Sequence, residues 1–358
     1  MAQADTNARF IIGTGRCGST ILSKMLNVHP EICVLSEFLV ALDAVKKFGE
    51  RDVSGTELAG ICDCGLGSTG EFKKIVKHLA TPEITFDMDA PPPGVAPENY
   101  RDGVYPELIL LPLANIFEDA TVAFDELIEF AKTQPTRRLS QQLFTLFKWV
   151  TQRAGKTLWI ERSGGTLAQL PELLELFQNA KFLHLHRNPL DVALSMKAHH
   201  HMRLFALQHY GLRTQGGVTW DDLDESDLNN VGAMSPRLQE IFDHDVPLEI
   251  FLKDWNEMVL RGFTSVKHMS VEQYSEISFE DLIAEPTRVL GHIIDFFDLP
   301  EAAGWMDEAV SLLTPNKAGK ASPNPAQIEM LADTCHPGTV LLERESSRPS
   351  SAGQLTSS

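Results

Sequence analysis

Positive charge is scarce in this chain of 358 residues: 31 lysines and arginines stand against 49 aspartates and glutamates, a formal net charge of −18. A surface so acidic repels nucleic acid and anionic membrane, so neither is expected as a partner. Any anionic ligand needs positive charge gathered at one place. Long apolar runs are also lacking. The longest, residues 108–117, is interrupted by Pro112 and Asn115 and is about half of what a membrane span requires. The start, Met1 to Phe10, is polar and has no signal-peptide core. Cysteines number five, an odd count without zinc-ligand spacing. Cys62 and Cys64 read as two nearby free thiols, and no metal is expected. These absences describe a cytoplasmic protein of a reducing compartment with no transmembrane segment. No internal repeat is visible, and a composition of 43% hydrophobic and 22% charged residues excludes collagen-like, mainly disordered and coiled-coil chains.

What is present is an alternation of strands and helices. The apolar run 10–12 ends in Gly13 and predicts a buried strand. Ile21, Leu22, Met25 and Leu26 follow at helical spacing, and 32–35 reads as a second buried strand. Residues 49–106 are rich in glycine and proline and read as an insertion with at most one helix, near 71–79. Helical periodicity returns over 122–150. Strands are then predicted at 157–160, 181–186 and 274–278, and helices at 167–177, 191–199, 248–266 and 287–297. A polar, acidic loop occupies 211–237. The last sixteen residues, 343–358, hold six serines and read as a disordered tail. Strands alternating with helices predict an α/β domain over 1–342 with a mainly parallel sheet.

Gly13-Thr14-Gly15-Arg16-Cys17-Gly18-Ser19-Thr20 lies between the first strand and the first helix. Glycines in such a turn let backbone N–H groups converge on phosphate, and the helix N-terminus adds partial positive charge. Three ligand classes use this device. Gly13-x-Gly15-x-x-Gly18 fits a dinucleotide fingerprint, with Glu37 about where a ribose-binding acid stands. Gly13 and Gly18 have Walker A spacing too, but Ser19 occupies the lysine position, which argues against a nucleotide triphosphatase. With Arg16 inside the loop and Ser19 and Thr20 behind it, a 5′-phosphosulfate fits as well.

A second motif, Arg187-Asn188-Pro189-Leu190-Asp191-Val192-Ala193-Leu194-Ser195, leaves a strand end and enters a helix, with Pro189 suited to the first turn. An arginine at that edge can meet phosphate with two charge-assisted hydrogen bonds. Its plain alternative is a surface ion pair with Asp191. The two motifs together resemble the sulfotransferases that use 3′-phosphoadenosine-5′-phosphosulfate (PAPS). Residues 15–22, Met25-Leu26, His29-Pro30-Glu31 and Ser36-Glu37 are similar in order and spacing to the branch containing protein-tyrosine sulfotransferases and bacterial relatives. Ile277-Ser278-Phe279-Glu280-Asp281-Leu282 resembles a later motif of that family.

The resemblance implies a P-loop-like sulfotransferase fold, with a central, mainly parallel sheet flanked by helices. Residues 49–118 and 200–240 would be acceptor-side insertions. Gly15, Arg16, Cys17, Gly18, Ser19 and Thr20 would hold the 5′-phosphosulfate, and Arg187 and Ser195 the 3′-phosphate. Glu37 would be the catalytic base; the bland reading of the same residue is an acid at a helix N-terminus. Arg162 would join Arg16 in stabilising developing charge, against the simpler reading of a salt bridge with Glu161. Lys317 and Lys320 would form a late basic loop over the 3′-phosphate. His184 and His186 alternate along one strand and read first as core histidines, with His186 a reserve base. His199, His200 and His201 point to different helix faces and are not read as metal ligands. Two departures stand out: Cys17 replaces a common serine, and Phe279 a tyrosine. PAPS is the expected co-substrate and a small-molecule or lipid hydroxyl the expected acceptor. The competing classes are a P-loop-type nucleotide kinase, which lacks its lysine here, and a dinucleotide-binding oxidoreductase.

Overall fold

The computed structural model describes residues 8–42, 49–63, 106–228, 234–313 and 324–346. The strands expected from the sequence become β1 (Arg9–Ile12), β2 (Ile32–Ser36), β5 (Leu158–Arg162), β6 (Lys181–His186) and β7 (Tyr274–Ser278), paired in one sheet in the order β2-β5-β1-β6-β7. Every pairing in it is parallel, so helical crossovers cover both faces and both must be apolar. Phe10 and Ile12 accordingly join one buried cluster, while Ile11 joins another on the opposite face. This is the expected α/β architecture. A separate ribbon pairs β3 (Asp52–Val53) antiparallel with β4 (Arg137–Arg138).

The helices follow the sequence pattern with local shifts. They include α1 (Ser19–Asn27), α2 (Phe38–Leu42), α3 (Gly55–Asp63), α4 (Glu107–Leu110), α5 (Ala120–Lys132), α6 (Leu139–Arg153), α7 (Leu170–Leu176), α8 (Pro189–Lys197), α9 (His200–His209), α10 (Leu248–Val266), α11 (Phe279–Ala284), α12 (Pro286–Phe297) and α13 (Pro325–Ser346). The periodic stretch 122–150 is two helices, because Pro135 precedes β4 and interrupts it. The segment 49–63 is more ordered than its composition suggests. It forms β3 and α3, and α3 packs on α5. Gly55 stands where a Cβ would lie 2.5–2.7 Å from the carbonyl oxygens of Gln134, Lys132 and Ala131, so this glycine marks close packing rather than a loop. The helix expected near 71–79 lies outside the described residues. Helix α13 runs to Ser346, four residues into the stretch expected to be tail.

Parallel strands bring all their carboxyl ends to one edge of the sheet, where α/β proteins build their sites. The glycine loop follows β1, Glu37 follows β2, Arg162 ends β5 and Arg187 follows β6. Helix α4 packs against α2, which places part of the expected acceptor-side segment beside Glu37.

Candidate functional site

The loop after β1 takes positive φ at Gly15 (77°), Arg16 (52°) and Gly18 (96°), a succession that aims backbone N–H groups into a common concavity. Gly18 is also a packing requirement, since a Cβ there would lie 2.1 Å from Cδ2 of Phe279. Phe279 thus floors the loop. Its ring also carries the Arg187 guanidinium, 4.8 Å from the ring centroid. Gly18→Ala is expected to cost ~1–3 kcal/mol of stability through overpacking and to weaken anion binding by displacing Phe279 from Arg187. Urea unfolding and calorimetry check the two effects.

Cys17 is buried in the cluster with Ile11 and Leu22, and burial pushes its thiol pKa up. The thiol therefore faces the core as a neutral group. Ser19 is half-buried and Thr20 exposed at the start of α1.

Two distant motifs meet at Arg16. Its Nε–H donates to Ser195 Oγ at 3.3 Å, and Arg187 Nη1 donates to the Arg16 carbonyl oxygen at 3.5 Å. Arg187 Nη2 lies 3.7 Å from Asp191. The ion pair considered as the plain alternative therefore exists, but as a mostly buried arrangement over Phe279. Arg187 Nε is buried without a hydrogen-bond partner. Helix α8 is fixed at this point by Asn188, whose side chain accepts from the N–H groups of Leu190 and Asp191.

A second group forms between β2 and β5. The Glu37 carboxylate pairs with Arg162 Nη1 and accepts from the Gly164 N–H at 2.9 Å. Arg162 Nε–H donates to Ser23 Oγ at 3.0 Å. The Arg162 and Glu37 side chains are 5% and 17% exposed. Arg162 pairs across strands with Glu37 rather than with adjacent Glu161, because successive strand residues point to opposite faces. Glu161 instead accepts from the Leu39 N–H and the Ser163 hydroxyl. Burial, with a lesser contribution from Glu37, pushes its carboxyl up to about 8.

The two histidines of β6 differ in their surroundings. His184 is fully buried, its Nδ1 2.9 Å from the Tyr274 hydroxyl, and burial lowers its pKa. His186, also lowered by burial, lines a cavity of about 530 Å³ with Arg187, Trp255, Glu280, Thr339 and Glu343. Among the described residues no group of histidine, cysteine and carboxylate side chains could hold a metal, and no helix is long and apolar enough to cross a membrane. Lys317 and Lys320 lie outside the described residues.

The structure thus brings Arg16, Arg187 and Ser195 together, and Glu37 together with Arg162, on one sheet edge. Sequence reasoning missed Ser23, Ser163 and Gly164, and it offered Glu161 only as an ion-pair partner for Arg162. Ser23 and Glu161 did leave a signal: each is a polar residue within an otherwise apolar buried face.

Residues 113–243 match the sequence model described as the sulfotransferase family. The matched stretch includes Arg162, Arg187 and Ser195, and it bears out the expectation of a sulfotransferase. Three solved structures illustrate what the chain is similar to. Sulfotransferase STF9 from Mycobacterium avium shares 14% identity over 95% of this chain and 76% of that one, with a TM-score of 0.46. The sulfotransferase from Alicyclobacillus acidocaldarius shares 18% over 98% and 99%, with a TM-score of 0.38. Mouse sulfotransferase SULT7A1, complexed with PAP, shares 12% over 97% and 90%, with a TM-score of 0.40. The comparison with curated proteins found no match.

Proposed function

We propose that the sulfotransferase chemistry to which residues 113–243 point is sulfuryl transfer from PAPS to a hydroxyl of a small molecule or lipid, with Glu37 as general base. The observation that carries this reading is the convergence of the phosphate-type loop with Arg187 and Ser195 through Arg16. Such a meeting suits a donor bearing phosphate at both its 5′ and 3′ ends. In a chain of net charge −18, the cations Arg16, Arg162 and Arg187 supply the local positive charge that the composition demands.

In the proposed reaction the acceptor oxygen forms a bond to sulfur as the bond from sulfur to the 5′-phosphate oxygen breaks, in line. Glu37 takes the acceptor's proton, and the bisphosphate departs carrying the bonding electrons. Positioning and charge stabilisation carry most of such a transfer. Arg16, in the loop, and Arg162, at the end of β5, face the charge that develops around the sulfuryl group. Arg162 also balances Glu37, so a sulfuryl oxygen competing for the guanidinium loosens the carboxylate for its task. Glu37 is favoured over His186 by strand order. Residues following β2 and ending β6 are separated by three strand spacings, about 14 Å, and His186 adjoins Arg187 at the 3′-phosphate end. The cavity there is within the usual size of small-ligand sites and gives the nucleoside room. The loop's backbone N–H groups, with Ser19 and Thr20, hold the 5′ end, and Cys17 contributes its backbone rather than its thiol.

Isothermal calorimetry tests the donor. Adenosine 3′,5′-bisphosphate is expected to bind at least about tenfold more tightly than 5′-AMP, since one charge-assisted contact is worth ~1.5–3 kcal/mol. Arg187→Ala is expected to abolish that preference. Equal affinity for the two, or tighter binding of NAD, would return the glycine loop to the dinucleotide reading.

A further inference from the structure

Glu37 stands at the N-cap position of α2, because its carbonyl oxygen accepts from the Ala41 N–H at 3.0 Å. A capping side chain at this position ordinarily accepts from the N–H of the second or third helical residue. Here those residues are Leu39 and Val40, and neither bonds to Glu37. The Leu39 N–H donates to Glu161 Oε1 at 3.1 Å and the Val40 N–H to Ser163 Oγ at 3.4 Å. The Ser163 hydroxyl in turn donates to the same Glu161 oxygen at 2.5 Å. Glu161 is 0% exposed and comes from β5, the strand paired with β2. Glu37 itself adopts a left-handed backbone, φ 60°, and its carboxylate turns to Arg162 and Gly164.

We infer that Glu161, with Ser163, is a positioning residue for Glu37: it caps α2 in place of Glu37 and thereby keeps that carboxylate on Arg162 and Gly164 at the site. Capping and site chemistry compete for one carboxylate, and the neighbouring strand resolves the competition by supplying a second acceptor. A single carbonyl-type oxygen does the capping, while Glu161 Oε2 is buried without a hydrogen-bond partner. A neutral carboxyl or an amide therefore serves equally, and glutamine is the conservative replacement. The consequence for catalysis rests on Glu37 being the base; the capping arrangement does not.

Amide hydrogen exchange followed by NMR reads the arrangement without an acceptor substrate. In Glu161→Ala the Glu37 carboxylate is expected to swing onto Leu39 and Val40, releasing the Gly164 N–H. Exchange at Gly164 should quicken about tenfold or more, the equivalent of one lost charge-assisted hydrogen bond, while Ile11 and Leu183 in the sheet keep their protection. Glu161→Gln should retain the wild-type exchange at Gly164. If Glu161→Ala loses sheet protection, Ser163→Ala decides, since it removes only the hydroxyl and should also quicken Gly164. Unchanged exchange at Gly164 in the folded alanine variant overturns the inference, and so does Glu161→Gln behaving as Glu161→Ala does. Calorimetry on the same wild-type sample with adenosine 3′,5′-bisphosphate keeps the two readings apart. Absent binding there strikes the donor assignment and leaves the exchange result standing.

Discussion

Glu37→Gln is expected to lower sulfuryl transfer by ~10²–10⁴-fold, the usual contribution of a positioned general base. Glutamine keeps the size of the side chain and an oxygen able to accept from the Gly164 N–H, but it cannot take a proton and it ends the ion pair with Arg162. Arg162 keeps its bond to Ser23, so the local structure survives. Affinity for adenosine 3′,5′-bisphosphate should hardly move, because that ligand lacks the sulfuryl group and, on the proposed assignment, would be bound through the loop and Arg187. Single-turnover release of bisphosphate from PAPS, with an acceptor found by screening, makes the measurement. Turnover equal to wild type would remove Glu37 from the mechanism and bring His186 forward.

A second large effect concerns stability. The Glu161 carboxyl, raised by burial from its ordinary 4.5 to about 8, holds a proton in the folded chain that the unfolded chain has already released. Between those two values the folded state binds more protons, so its stability falls as pH rises. The full shift corresponds to at most ~5 kcal/mol. The charge of Glu37 adds to the shift; the hydrogen bonds from Ser163 and Leu39 and the charge of Arg162 oppose it. Glu161→Gln removes the titration while preserving the cap. Its advantage over wild type should be small near pH 4.5 and grow to several kcal/mol by pH 8. Urea unfolding of both proteins at the two pH values checks this, and a gap of the same size at both would show that Glu161 ionises normally.

Much of the fold was legible because its signals are local. The runs 10–12 and 32–35 are apolar over their length, as strands covered on both faces must be, and the helix 248–266 shows its buried stripe directly. The segment 49–63 misled because it belongs to the glycine- and proline-rich stretch read as an insertion, whereas three carbonyl oxygens crowd Gly55 in a packed helix. The site was legible in part. Gly15, Arg16 and Gly18 announce themselves by spacing, as do Arg187 and Ser195. For Arg162, the adjacent Glu161 offered itself as the obvious partner, and only strand alternation explains why the two point apart.

The sequence by itself determined the glycine loop, the strand-helix rhythm, and the need for a local cluster of cations in an acidic chain. Those follow from sterics, periodicity and charge, which act over a few neighbouring residues. Tertiary structure alone decided that Arg16 meets Ser195, that Glu37 pairs with Arg162, that Glu161 caps α2, and that the Cys17 thiol turns inward. Each depends on which strands lie side by side in the order β2-β5-β1-β6-β7. That order is set by how the crossover helices pack on the sheet, and no short stretch of sequence encodes it.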